Sequence, residues 1–313
     1  MSDGLLAVIV ATFNLAALAT IIGATVGWVV LVPRSTQHTV DWARDPQWLI
    51  MVAWLLLLLT GGGELLLRSA ALADVSLQQA WHEIPRVLVR SDYGVWWQVR
   101  MALWMMIGVV LITTWRRGWQ RMGWACYQLL AGAVLIAFIS SATGHAGEEG
   151  AFTTANLVNT LHVVSGCLWG GAVLVYVMSM LPRLRQQHAR PLIAQTANRL
   201  SGVSALALSG VMASGVYNAV HQLDNLGQLT ASDYGRVLLL KLAVVAVMAV
   251  IGATNLLVVV PRVVRWAGSD TAPGTPDMAQ RLLAILRTDT VIFVGILICA
   301  AVLGIQSPPG HAG

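Results

Sequence analysis

Charged residues are scarce in this sequence, and lysine is almost absent from it. Only 11% of the 313 residues are charged, whereas a soluble domain carries about 25%, and Lys241 is the single lysine. Together with a hydrophobic content of 57%, this low charge excludes an ordinary soluble domain and predicts a protein embedded in lipid. The net charge of +5 does not indicate a nucleic-acid partner, because the basic residues stand in short clusters between apolar runs.

Cysteine is also rare. Cys126, Cys167 and Cys299 all lie inside apolar runs and show no C-x-x-C spacing, which argues against a disulfide framework. The sequence contains no nucleotide-binding motif, so transport, if any, is expected to be passive or ion-coupled. No enzymatic activity is expected.

Long apolar runs make up most of the chain. A helix needs about 20 mostly apolar residues to cross a bilayer, and eight stretches meet this requirement. They are 5–32, 47–67, 94–114, 122–142, 156–181, 201–221, 236–260 and 288–306. Pro33, Pro182 and Pro261 each follow an apolar run and are expected to mark helix ends. The sequence therefore predicts an all-α polytopic membrane protein with eight transmembrane helices.

The distribution of basic residues between the spans predicts the orientation. The loops at 33–46, 115–121, 182–200 and 261–287 together hold 13 of the 19 basic residues, and the 68–93 loop on the other side holds three. Cytoplasmic loops carry an excess of lysine and arginine. We therefore expect a multi-pass protein of the bacterial inner membrane with both termini in the periplasm.

The sequence contains a repeated motif. The tetrapeptide Ser-Asp-Tyr-Gly at 91–94 recurs at 232–235, an offset of 141 residues, and a cation stands six residues past each glycine, as Arg100 and Lys241. The cations are expected to extend towards the membrane surface, to pair with Asp92 or Asp233, or to flank a hydrophilic cavity, and the first of these is slightly favoured. Glu64 and Arg68 are spaced for a helix-surface ion pair.

A second pattern recurs in the same order. Ser-x-x-Gly-His-Ala-Gly occupies 141–147 and again 307–313. These ordered matches predict duplication of a four-helix unit, with a first repeat at 1–150 and a second at 151–313. An even number of helices in each unit makes the repeats parallel rather than inverted.

Most of the histidines are predicted to lie on the periplasmic side. They are His82, His145, His162, His221 and His311. His162 is expected about two turns inside its helix, where an ionisable residue is costly and indicates a functional site. Neutral imidazole is a good ligand for copper, zinc, iron or nickel. The pattern therefore predicts a metal site at the outer face.

Softer ligands are available in the neighbouring helices. Cys167 follows His162 by five residues, Met101 and Met105 share a helix face, and Met212 lies in the predicted sixth span. Thiolate and thioether ligands select Cu(I) over harder cations. Methionine in an apolar helix is more often ordinary core packing, so these residues remain optional ligands.

Several motifs of the second half resemble the CopD copper-resistance family. The motifs are Leu161-His162-x6-Trp169-Gly170-Gly171, Ser141-x-x-Gly144-His145, Tyr234-Gly235-x5-Lys241, Asn255 and Pro261-Arg262. The resemblance implies an inner-membrane protein that handles copper between periplasm and cytoplasm. It also implies that His145 and His162 are the characteristic histidines of the family, and His311 fits its late histidine.

Three functions follow as hypotheses. The leading one is a copper-binding transport protein that takes copper at the periplasmic face, in some cases from a periplasmic copper chaperone, and passes it to His162. A redox protein with b-type haem is the first alternative, which requires two histidines at matching depth. The second alternative is a copper-delivery or sensor protein that moves no copper across the membrane.

Overall fold

The computed structural model describes residues 2–36, 44–117, 123–148, 150–223, 225, 227–269 and 277–306. Within these ranges the protein has no β-strand, and eight helical stretches are long and apolar enough to cross a membrane. The predicted all-α fold with eight spans is confirmed. The two-repeat division at 1–150 and 151–313 and the periplasmic position of the termini stay predictions.

Twelve α-helices build the described part of the chain. They are α1 (Ser2–Val26), α2 (Arg44–Ala73), α3 (Leu77–Arg90), α4 (Asp92–Arg117), α5 (Gly123–Ala142), α6 (Thr154–Val175), α7 (Leu181–Gln186), α8 (Arg190–Gln222), α9 (Gln228–Ala231), α10 (Asp233–Thr254), α11 (Val260–Ala267) and α12 (Met278–Ile305). Helices α6 and α7 belong to one span, and α10 and α11 belong to another.

Two of the three prolines that were expected to mark helix ends do not end their spans. The first span does end before Pro33, but Pro182 and Pro261 stand in the first turns of α7 and α11. A π-helical segment precedes each of them, at Tyr176–Met180 and Asn255–Val259. Proline is tolerated in the first turn of a helical segment, where its missing N–H is not needed, so the wider turn lets the span continue.

The predicted 68–93 loop is largely helical. Helix α2 extends to Ala73, and the separate helix α3 occupies Leu77–Arg90. Ala80 and Val87 are buried against the protein, whereas Trp81 is 64% exposed. Because its apolar residues are spread among polar ones, α3 is amphipathic and lacks the long apolar run that marks a span.

Helix α1 lies in the centre of the helix bundle. It packs against α2, α5, α6 and α12, and Leu18, Ile21 and Ile22 are almost fully buried. The closest approach is to α6, where a Cβ added to Gly23 would lie 2.2 Å from the carbonyl carbon of Gly171. Small residues thus bring the backbones of α1 and α6 together, as is usual between helices in membranes.

The two Ser-Asp-Tyr-Gly motifs adopt the same local structure. Ser91 and Ser232 are the N-cap residues of α4 and α10, and their hydroxyls accept hydrogen bonds from the amides of Gly94 (3.0 Å) and Gly235 (2.9 Å). Each glycine also touches the backbone of the short helix before it. Both copies of the motif therefore form the same N-capped start of a helix.

The order of the spans places several chain segments at one end of the bundle. Arg68, near the end of α2, donates to the carbonyl oxygen of Thr143 after α5 at 3.4 Å, and Tyr93 at the start of α4 lies under the same guanidinium. We call this end of the bundle the His145 end. It includes the start of α6 and α10 and the end of α8 and α12, because successive spans run in opposite directions.

Candidate metal site

His162 faces α8 inside the membrane. It lies eight residues after the start of α6, about 12 Å along the helix, and its Nδ1 is 3.1 Å from Oγ of Ser214. Ser214 stands at the same depth in α8, eight residues before Gln222. The ring fits there because α8 has a glycine beside it: a Cβ on Gly215 would lie 3.2 Å from Cε1 of His162.

The hydrogen bond of Ser214 determines which imidazole nitrogen is available. The Ser214 hydroxyl has one hydrogen, which it donates to the carbonyl oxygen of Gly210 one turn earlier. With its hydrogen on that carbonyl, the oxygen of Ser214 accepts from Nδ1 of His162 and Nε2 keeps its lone pair; the backbone of Val211 is a second hydrogen-bond partner of the ring. This is the arrangement of a metal-binding imidazole, whose other nitrogen is fixed by a hydrogen bond outside the metal site.

Amide and hydroxyl side chains lie between His162 and the His145 end. Nδ2 of Asn218 donates to Oδ1 of Asn159 at 3.0 Å, and Nδ2 of Asn159 donates to Oγ of Ser141 at 2.8 Å. Asn159 is three residues before His162, and Asn218 is four residues after Ser214, so both pairs share the α6–α8 interface. A polar strip thus links three helices above the imidazole.

The single lysine lies near His162. Lys241 stands eight residues into α10, about 12 Å from its start, and it acts electrostatically on His162 and on the thiol of Cys299. Within the described ranges, Lys241 forms no hydrogen bond and no ion pair. The alternative prediction that Lys241 pairs with Asp233 is wrong, because Asp233 pairs with Arg236.

The equivalent cation of the first half is paired. Arg100 is 4% exposed; its guanidinium forms an ion pair with Glu64 and donates to Oδ1 of Asn14 at 2.8 Å. Arg100 therefore does not extend to the membrane surface as predicted. The predicted pair between Glu64 and Arg68 is also wrong, because the buried guanidinium is the partner of Glu64 and Arg68 contacts Tyr93 and Thr143 instead.

His145 lies in a short helical turn after α5. Its Nδ1 is 2.8 Å from Oε1 of Glu148, and the two side chains are 31% and 51% exposed. A carboxylate that holds an imidazole fixes its orientation and increases its basicity as a ligand. His145 and Glu148 therefore offer an accessible polar pair at the end of the bundle from which the Ser141–Asn159–Asn218 strip begins.

The other predicted ligands are dispersed. His82 is exposed on α3, and the ring of His221 lies 5.7 Å from that of Tyr217 at the end of α8. His311 lies outside the described residues. Across the part of the chain that the structure describes, no three His, Cys, Asp or Glu side chains form a ready metal cluster, so the five-histidine ligand set stays a prediction.

The softer candidates differ in their surroundings. Cys167 is buried, with its sulfur 3.9 Å from the carbonyl oxygen of Leu15. Met105 and Met212 are 56% and 53% exposed, as expected for side chains that face lipid. Sequence reasoning missed Ser214 and Asn218, since one serine and one asparagine in an apolar run show no pattern without the packing of α6 against α8.

Two family profiles match the sequence. The profile described as copper resistance protein D matches residues 194–303, and the profile described as copper resistance protein D-like, N-terminal domain, matches residues 1–155. The chain belongs to the copper resistance protein D family. The resemblance inferred from the motifs is thereby confirmed. A family profile matches the first half of the chain too, not only the second.

Two curated relatives have names that state a function or a cellular location. The chain is 26% identical over 235 residues to the copper transport protein CutJ of Bacillus subtilis, which covers 73% of this chain and 40% of CutJ. It is 27% identical over 231 residues to the inner membrane protein YebZ of Escherichia coli, covering 73% of this chain and 71% of YebZ. The chain thus spans less than half the length of CutJ. No solved structure matches it.

Proposed function

We propose that this copper resistance protein D family member moves copper across the bacterial inner membrane and that His162 is its membrane-embedded ligand. The observation that carries the proposal is the His162–Ser214 pair, which holds an imidazole inside the bilayer with Nε2 available. A copper ion is the cargo. The name of CutJ, a copper transport protein, supports the same cargo.

The path begins at the His145 end, which we propose to be periplasmic because the arginine-rich loops lie at the opposite end. His145 and Glu148 receive copper from solvent or from a periplasmic copper chaperone. His82 and His221 stand at the same end and are additional receiving ligands, and His311 is the late member of the set. Removing a cation from water is costly, and neutral imidazoles offer replacement ligands without a fixed charge.

The polar strip then leads inward. The oxygens of Asn159, Asn218 and Ser141 solvate the ion between the surface and His162, where the bilayer alone would offer none. At His162 the ion meets the field of Lys241. In its protonated form Lys241 repels a copper cation and shortens its residence at His162, and a short residence is required for transport as opposed to storage.

The proposal is tested with purified protein in two assays. Copper titration measures binding, and copper uptake into sealed proteoliposomes measures transport. His162→Ala is expected to lower both, whereas His145→Ala should slow uptake at low copper more than at saturating copper. His188→Asn is the matched control, because His188 is exposed outside the path and has a positive φ of 54°, which asparagine tolerates.

The outcomes separate the functions. Unchanged binding and uptake in His162→Ala contradict the site. Binding without uptake in the wild-type protein indicates a delivery or sensor protein instead of a transporter. An absorption spectrum with a Soret band in the purified protein would favour haem, for which the described ranges hold one histidine at membrane depth, His162.

A further inference from the structure

Helix α12 carries a buried carboxylate that the proposed copper path does not use. Asp289 is 3% exposed and lies eleven residues after Met278, about 16 Å along the helix. Arg287, two residues earlier, is exposed, so the carboxyl group is buried in protein near the end of the span that lies opposite the His145 end. The partner of Asp289 is Asn255, 5% exposed, whose Nδ2 donates to Oδ2 of Asp289 at 3.1 Å.

The hydrogen bonds of this pair are incomplete. Oδ1 of Asp289 and Oδ1 of Asn255 are both buried and have no hydrogen-bond partner within the described ranges. An ionised carboxylate can only accept hydrogen bonds, whereas a carboxylic acid carries one O–H donor. The buried pair therefore has two acceptor oxygens without a hydrogen-bond donor. A proton on the carboxyl group supplies that donor.

Charged neighbours do not compensate a carboxylate at this position. The ionisable side chains of the helical segments packed against α12, and of α12 itself, are Asp3, His162, Cys167, Tyr176, Arg183, Arg185, Asp233, Tyr234, Arg236, Lys241, Arg262, Arg265, Arg281, Arg287 and Cys299. None of them acts electrostatically on Asp289, whose surroundings are burial and the Asn255 amide. An isolated ionised carboxylate in an apolar interior is so costly that the group takes up a proton instead.

The backbone around this pair includes a π-helical segment. Asn255 begins the π-helical segment Asn255–Val259, and π-helical turns inside α-helices occur frequently at functional sites. Phe293, one turn after Asp289, packs so closely on α6 that a Cβ on Gly170 would lie 2.1 Å from the phenyl ring. Gly170 is eight residues from His162 on the same helix. The interface between α6 and α12 therefore connects the helix that carries the carboxyl group with the helix that carries the imidazole.

We infer that Asp289, with Asn255, is a buried proton-binding site near the end of the span opposite the His145 end and that its proton is exchanged with solvent as copper moves. The acid dissociates to a carboxylate and a proton, and the proton leaves to water on the side to which the pair opens. The second part of this inference rests on the proposed copper transport. The first part, a proton bound by the buried carboxyl group, does not.

Infrared spectroscopy of the purified protein tests the proton site without copper. We expect the C=O stretching band of a protonated carboxyl group in mildly acidic buffer, where surface carboxylates stay ionised, and its loss in Asp289→Asn. Asp277→Asn is the matched control beside the same helix, because Asp277 pairs with Arg185 at the surface and should leave the band intact. In Asn255→Ala the band should shift, since Asp289 loses its amide donor but keeps its proton.

Two results would overturn the inference. One is a spectrum with carboxylate bands only, and the other is an acid band that appears only after sodium is replaced by choline, which would assign the pair to a metal cation. The coupled role is then measured in proteoliposomes with an internal pH dye. Copper uptake should be accompanied by a pH change in the wild-type protein and in Asp277→Asn but not in Asp289→Asn.

The two parts of the inference can fail separately. Wild-type vesicles that take up copper with no pH change refute the coupling and leave the transport function standing. Vesicles that take up no copper refute the proposed function, while the infrared band still decides the proton site.

Discussion

Arg100 forms an ion pair with Glu64 in the interior of the first half of the protein. The two residues are 36 positions apart in sequence and lie on α4 and α2, so the pair holds these two spans together. Asn14 adds a hydrogen bond from α1. In the second half the equivalent cation, Lys241, has no carboxylate partner within the described ranges. Arg100 therefore has a structural role, whereas Lys241 lies near the proposed metal path.

Loss of the Glu64 carboxylate is expected to destabilise the protein strongly. Glu64→Gln leaves the nearly buried guanidinium of Arg100 without its counter-charge, and breaking a buried pair costs about 3–5 kcal/mol. Unfolding of the purified protein by SDS titration in mixed micelles measures the free energy. Glu83→Gln is the control, because the Glu83–Arg86 pair is at the surface and should contribute about 1 kcal/mol or less. Equal losses in both variants would contradict the structural role.

The two Ser-Asp-Tyr-Gly motifs predict a matched pair of glycine effects. A Cβ at Gly94 would lie 2.3 Å from the carbonyl oxygen of Val87, and one at Gly235 would lie 2.1 Å from that of Gln228. Backbone atoms cannot move aside like a flexible side chain, so we expect Gly94→Ala and Gly235→Ala each to lose about 1–3 kcal/mol.

A glycine in open space provides the comparison for this pair. A methyl group added to Gly252 in α10 would have no other atom within 4 Å among the described residues, so Gly252→Ala should be neutral or stabilise the helix by up to about 1 kcal/mol. The same SDS titration measures all three variants. A loss confined to one of the two motif glycines would show that the motifs are not structurally equivalent.

The number and type of spans could be predicted from the sequence because the bilayer imposes them. Backbone polar groups cannot stay unpaired in hydrocarbon, so each long apolar run must be helical. The helix ends could not be predicted as well. Helix α12 begins at Met278, ten residues before the predicted start at 288, because its first turns alternate exposed Arg281 with buried Leu282 and Leu283.

The same boundary error concealed a functional candidate. With a start at 288, Asp289 belonged to the edge of a span, where a carboxylate is common. With ten additional residues of helix it lies within a packed helix and is 3% exposed, and a buried carboxylate requires an explanation. For Asp289 a signal existed in the sequence: the amphipathic pattern of 278–287 continues the apolar run that follows.

The partners of the predicted site residues carried no sequence signal. His162 could be singled out as an ionisable residue inside a span, but Ser214 is 52 residues away and is one of several serines in α8. The pairing of Arg100 with Glu64 depends in the same way on how α2 packs against α4. Contacts between spans follow from side-chain packing, which hydropathy does not encode.

Ser214 is expected to position His162 for copper. Ser214→Ala removes the acceptor that keeps the proton on Nδ1, so Nε2 is no longer fixed as the free nitrogen, and affinity for copper should fall by about 10–100-fold. Ser214→Thr retains a hydroxyl and should recover much of the loss. Ser209→Ala is the control on the same helix, because the hydroxyl of Ser209 donates to the carbonyl oxygen of Ala205, outside the site. Copper titration in which Ser214→Ala matches the wild type would refute this positioning role.

Lys241 provides the last prediction, and its sign is opposite to that of the other site variants. Lys241 has no carboxylate partner in the described ranges, so the positive charge of its protonated form opposes a cation at His162, and its removal should strengthen copper binding by up to about tenfold. Leucine is the suitable replacement, because methionine would add a copper ligand. Arg236→Gln controls for charge at the exposed start of α10, where Arg236 pairs with Asp233. Tighter binding together with slower uptake in Lys241→Leu would establish that the lysine speeds release from His162; weaker binding would mean that Lys241 supports the site rather than repelling its ion.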